Sequence, residues 1–146
     1  MILTDDRCYT VTIETKVTAE VLLKFISDPN KLGEWALGSS KPIKSLGDGV
    51  YSGTSLFDDE ATSFRINVYQ RFNQVDYEVG YLGGQLLPWI VGRVTPGPVV
   101  GLDSGHSLLT MMAWRHKDWS DEDWRLVCVS HETEVFLIRH LVEKAK

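Results

Sequence analysis

SDEDWRLVCVSHETEVFLIRHLVEKA, residues 120–145, reads as one long amphipathic helix. Ser120 is a capping residue, and Asp121, Glu122 and Asp123 place negative charge where the helix dipole favours it. Asp123 stands where a capping box would carry Glu or Gln, so the box is a near match. The pattern predicts about 25 helical residues, roughly 38 Å of helix. Trp124, Val127, Cys128, Val135, Ile138 and Val142 form the apolar stripe, and a polar residue, His131, interrupts it. A stripe of this length must be buried, and the segments before it are strands, so it is expected to lie against a sheet.

Working back from that helix, the period is two. Ser107 to Arg115 is apolar on both alternating sets, so periodicity does not decide which set faces the core. A strand is expected near Pro88 to Thr95, followed by a breaker-rich loop from Pro96 to Gly105. Val75, Tyr77, Val79 and Tyr81 alternate with polar residues, as do Phe64, Ile66 and Val68; a sheet with one wet face has this pattern. Val50 to Phe57 and Ile43 to Leu46 read as a hairpin around Gly47-Asp48-Gly49. Nearer the start, Thr18 opens a helix that Asp28-Pro29 stops, and a second short helix runs from Pro29 to about Trp35. Tyr9, Val11 and Ile13 mark the first strand. The expected order is strand, two helices, six strands and the long helix, an α+β arrangement in one domain over residues 1–146.

Composition narrows the function classes. The net charge is −5 and no basic patch occurs, which argues against nucleic acid and against anionic membrane surfaces. No apolar run approaches membrane-spanning length. The N-terminal residues lack the basic and apolar regions of a signal peptide. Cys8 and Cys128 suggest no disulfide framework, so a reducing, cytoplasmic setting is expected.

The order of elements resembles the helix-grip fold of the START-like, birch-pollen-allergen-like superfamily (SRPBCC), over about Tyr9 to Ala145. Three features carry the resemblance: TAEVLLKFISDP (residues 18–29) followed by Trp35, the Leu46-Gly-Asp-Gly49 hairpin, and the long closing helix. The first is similar to the helix-pair segment of polyketide-cyclase-like members. The resemblance implies a curved seven-stranded antiparallel sheet wrapped around the C-terminal helix, two short helices after the first strand, and a cavity between sheet and helix. It assigns no characterised branch, and members of one fold differ in function.

Candidate residues follow from that cavity. Trp35, Phe64, Tyr77, Met112, Trp114 and His131, with Val135 as floor, are the expected ligand-binding set for a small hydrophobic or amphipathic molecule. Trp35 is expected near the cavity mouth. His131 reads two ways, as a cavity-lining imidazole able to orient a ligand or act as a base, or as a core histidine bonded to the sheet. Helical periodicity turns Glu134 toward one flank, and no partner acid or base for His131 is visible in the sequence. No pair of histidines or cysteines has metal-ligand spacing, and no cofactor is expected. Gly-x-Ser-x-Gly is missing, and Gly80-Tyr-Leu-Gly-Gly84 opens no helix, which removes the nucleophile elbow and the dinucleotide fingerprint. Two alternatives stay beside ligand binding. One is a polyketide cyclase/dehydrase-like enzyme using His131 or Tyr77 for proton transfer. The other is a homodimer through the outer sheet face, where Leu109 and Met111 would be exposed if Met112 is inward.

Overall fold

The structure, a computed structural model, describes residues 7–145; the reading of residues 1–6 lies outside them. The chain runs β1 (Cys8–Thr15), α1 (Ala19–Ile26), α2 (Pro29–Trp35), β2 (Ser40–Gly47), β3 (Val50–Thr54), β4 (Ala61–Tyr69), β5 (Gln74–Tyr81), β6 (Leu87–Pro96), β7 (Ser107–Trp114) and α3 (Asp121–Lys144). All strands pair antiparallel in one seven-stranded sheet ordered β1-β7-β6-β5-β4-β3-β2. The strands from β2 to β7 follow one another as a meander, and β1 closes against β7. β1 and β2 therefore occupy opposite edges, and α1 and α2 carry the chain between them over the sheet. This is the helix-grip architecture.

Local chemistry sets the helix limits. The Thr18 hydroxyl accepts the Val21 N–H to cap α1, and the Asp28 carboxylate accepts the Asn30 N–H to start α2 with Pro29 in its first turn. At α3 the near match is a complete capping box: the Ser120 hydroxyl accepts the Asp123 N–H, and the Asp123 carboxylate accepts the Ser120 N–H. Two strand limits differ from expectation. β3 stops at Thr54, because Ser55 to Glu60 form a turn closed by Ser55 N–H on the Glu60 carbonyl, while β2 extends back to Ser40.

The core lies between one face of the sheet and the three helices. Leu22, Leu23 and Ile26 of α1, Leu32 and Trp35 of α2, and Val135, Ile138 and Val142 of α3 pack on Ile13, Phe64, Val75, Tyr77, Val94, Leu109 and Met111. Each fully buried aliphatic side chain contributes about 1.5–3 kcal/mol. Gly92 lets α1 approach the sheet: a Cβ there would lie 3.3 Å from Met111 Sδ and 3.4 Å from Ile26 Cδ1. A methyl group would compete with Ile26 for that space.

Register corrects the reading of the last strand. Ile13 faces the core and pairs with Leu109; Val11 pairs with Met111. Directly opposed residues share a face, so Leu109, Met111 and Ala113 point inward, while Leu108, Met112 and Trp114 stand on the outer face. Thr12 and Thr110 bond across that outer face at 2.9 Å. The exposed Leu109–Met111 patch that suggested a homodimer is therefore part of the core. The helix stripe also shifts. His131 is buried on the stripe as expected, Cys128 is half-buried, and Ser130 and Glu134 join the buried set. Among the described residues no helix is long and apolar enough to cross a membrane.

Candidate functional site

A cavity of about 560 Å³ lies between the sheet and the first half of α3. Its volume suits a small organic ligand. The sheet supplies Thr62 and Phe64 from β4, Tyr77 and Val79 from β5, Ile90 from β6 and Met111 from β7. The helices supply Leu32 and Trp35 from α2, and Val127, His131 and Glu134 from α3. The exposed lining residues Gly38, Phe57, Gln85 and Asp118 come from four connections and, with Tyr81 at the end of β5, mark the mouth. A smaller space of about 220 Å³ adjoins it, sharing Trp89, Ile90, Val127, His131 and Glu134.

Of the expected ligand-binding residues, Trp35, Phe64, Tyr77 and His131 line the main cavity. Trp35 is only 3% exposed, so it forms interior wall rather than the rim. Met112 does not line either space; the inward residue is its neighbour Met111, for the register reason above. Trp114 borders only the smaller space and is itself exposed. Val135 is buried in the core and reaches neither space.

Glu134 is the residue that periodicity misplaced. It is 5% exposed, and its Oε2 accepts the Leu37 N–H at 2.8 Å, pinning α3 to the segment after α2. Its Oε1 lies 2.9 Å from His131 Nδ1. That approach is close enough for an ion pair but lacks hydrogen-bond alignment, so neither atom has an aligned partner among the described residues. The indole Nε1 of Trp35 is also buried without one. These three atoms without an aligned hydrogen bond belong to three residues that line the cavity. Their i,i+3 spacing on a helix was the available signal for the His131–Glu134 pair.

Tyr77 is satisfied. Its hydroxyl donates to the Ile26 carbonyl at 2.6 Å, and its ring meets Trp35 edge-on at 5.8 Å. Burial first, then the nearby Glu134 carboxylate, push the phenol far above its ordinary value. It therefore stays protonated and serves as an anchor, poorly suited to proton transfer near neutrality. The sign of its linkage follows. The folded value is raised, so the stability contributed is full below the unfolded phenol's value of about 10 and falls as pH climbs beyond it. At neutral pH Tyr77→Phe is expected to cost about 1–2 kcal/mol, the lost hydrogen bond. Above pH 10 that deficit should shrink by up to about 1.4 kcal/mol per pH unit, measured by urea unfolding of both proteins. A constant difference from neutrality through the alkaline range would contradict the buried, protonated phenol.

Sequence reasoning did not single out the ring cluster at the cavity end of α3. Trp89 meets His116 edge-on at 5.1 Å, and Trp119 stacks on Trp124 at 6.2 Å. Arg115 Nη2 donates to the Trp119 carbonyl at 3.0 Å and to Asp121 at 2.8 Å, tying the β7–α3 connection to the start of the helix. His116 and Trp119 come from the β7–α3 connection, where no strand or helix period exists to reveal them, whereas Trp124 stands on the helix stripe already read from the sequence. Among the described residues, no group of three or more His, Cys, Asp or Glu is placed to hold a metal ion.

No protein-family model and no curated protein matches the sequence. Solved structures do match by shape. A START superfamily protein from Mycobacterium smegmatis superposes with a TM-score of 0.70 at 14% identity, covering 96% of this chain and 99% of that one. An uncharacterized protein from Bacillus thuringiensis gives 0.68 at 19% identity, covering 92% and 98%. The Zhui aromatase/cyclase from Streptomyces sp. R1128 gives 0.67 at 12% identity, covering 94% of each chain. At these identities the likeness is one of fold, and that fold is the START-like helix grip.

Proposed function

We propose that this protein binds a small hydrophobic or amphipathic molecule in the cavity between the sheet and α3. The observation that carries this is a cavity of about 560 Å³ walled mainly by apolar and aromatic side chains. Such a wall gains from covering its apolar surface. The START-like neighbours support the reading through shared architecture. Fluorescence titration with the uncharged apolar dye N-phenyl-1-naphthylamine, with native mass spectrometry of the purified protein, tests it. One saturable site is expected, lost in Val79→Trp, whose indole would project into the cavity from β5. A signal that does not saturate, or that survives Val79→Trp, would refute cavity binding.

A second reading is an enzyme acting on a ligand held in the same cavity, of the cyclase/dehydrase kind. The specific observation in its favour is the buried His131–Glu134 pair, an imidazole Nδ1 2.9 Å from a carboxylate oxygen. One structural neighbour, the Zhui protein, is an aromatase/cyclase. Between the two named proton carriers, the structure favours His131, since Tyr77 is locked to Ile26.

A further inference from the structure

The meander sends every second connection to the same end of the sheet. The β3–β4, β5–β6 and β7–α3 connections therefore meet at the cavity mouth, beside the segment between α2 and β2. Leu56, Phe57, Tyr81 and Leu82 are presented there, each 48–61% exposed. Bonds between neighbouring segments gather them into one patch. The Tyr81 hydroxyl donates to the Asp58 carboxylate at 3.3 Å, the Leu82 N–H to the Ala61 carbonyl, and the Leu56 N–H to the Leu37 carbonyl. Large apolar side chains exposed together mark a contact surface.

The surrounding charge selects the partner. The four connections and the first turn of α3 carry seven exposed carboxylates: Asp58, Asp59 and Glu60 in one connection, Asp118 in another, and residues 121–123 in the helix turn. They hold two cations, Lys117 and Arg115, and Arg115 is bonded to Asp121. Arg7 and Lys41 stand just outside, where the edge strands begin. The chain has 20 acidic and 15 basic residues, so setting aside these seven and two leaves thirteen of each sign elsewhere. The net charge of −5 is thus concentrated at the mouth. Tyr81 senses it: partial burial first, then the carboxylates of Asp58, Glu60 and Asp123, raise its phenol above the ordinary value. A second copy would set these acids against their own kind, and an anionic bilayer would be repelled as well.

We propose that this rim docks a partner protein through a basic amphipathic segment. Its apolar side chains would cover Phe57 and Leu82, and its lysines or arginines would face Asp58, Asp59 and Glu60. This contact is separate from filling the cavity and does not depend on it.

The probe is a fluorescent leucine–lysine peptide patterned as an amphipathic helix, titrated with the full chain by anisotropy. Saturable binding is expected, weaker as salt screens the charges, and none to the same peptide carrying glutamate in place of lysine. Asp58→Asn/Asp59→Asn/Glu60→Gln should weaken binding about fivefold or more, as exposed ion pairs are lost. Asparagine keeps the acceptor that Asp58 gives the Glu60 N–H and tolerates the φ of 60° at Asp59, so the turn is retained. Glu20→Gln/Asp48→Asn/Asp103→Asn makes the same change in net charge at the opposite end of the sheet and should alter binding by less than about twofold. Phe57→Ser/Leu82→Ser should weaken it about tenfold or more by removing apolar contact area. Val79→Trp, folded by circular dichroism, should leave it unchanged. Equal weakening by the two charge sets would reduce the effect to overall charge and overturn the proposal. Loss of peptide binding in folded Val79→Trp would place the peptide inside the cavity and overturn it too. Binding to phosphatidylcholine vesicles with none to the peptide would make the rim a membrane contact, and would also overturn it. Each of these results leaves the dye titration of the cavity to be judged by itself.

Discussion

Trp35→Ala is expected to cost about 3–5 kcal/mol of stability, while Trp35→Phe should cost less than about 1.5 kcal/mol. The difference comes from what each change removes. Alanine deletes a ring that is 3% exposed, packs edge-on against Tyr77 at 5.8 Å and belongs to the core cluster. A domain of this kind has only about 5–15 kcal/mol in total, so this loss is a large share. Phenylalanine keeps most of the ring and deletes Nε1, which is buried without a hydrogen-bond partner. Removing an unpaired buried donor relieves a desolvation cost of about 1–3 kcal/mol, which offsets the lost ring area. Urea unfolding of the wild type and both variants measures the two effects. Equal losses in both variants would mean that the indole N–H is structurally bonded.

The same residue illustrates what could be read in advance. Element order was legible because periodicity and punctuation are local: α2 spans Pro29–Trp35 as expected, since Asp28-Pro29 starts it by cap and ring geometry. Which face of a strand points inward is legible only when one face is polar. β5 met that condition, and Tyr77 lies inside as expected; β7 did not, and Met111 stands where Met112 was expected. Pairing with Ile13 decides that face, and pairing is a long-range fact. Glu134 shows a different limit. A carboxylate at that angle is normally solvated. Here the Leu37 N–H, distant in the chain, supplies the bond that makes its burial tolerable. The candidate site was thus half visible: the rings that alternate or terminate elements were found, and those in the β7–α3 connection were not.

If the cavity binds a ligand as proposed, the long helix carries two functions along its length, and one pair of charge substitutions should separate them. Ile138 is fully buried, within the core cluster that includes Ile26 and Leu109. Ile138→Asp removes that packing and places a carboxylate where no water reaches, a combined cost above about 5 kcal/mol. This approaches the whole stability of such a domain, so the variant is expected to be largely unfolded by circular dichroism and urea titration. Val127 sits on the same stripe nearer the start of α3, half-buried and lining the cavity. An aspartate there can be hydrated from the cavity, so Val127→Asp should fold with a loss of about 1 kcal/mol, in the range of an ordinary substitution. It should nevertheless weaken N-phenyl-1-naphthylamine binding about tenfold or more, because the apolar dye would have to desolvate the new charge. If Val127→Asp unfolds the protein as Ile138→Asp does, the first half of α3 is core and the cavity plays no part in binding. If it folds and binds the dye unchanged, the dye sits elsewhere. Folding retained with binding lost would assign the second half of the helix to holding the sheet, and the first half to the ligand.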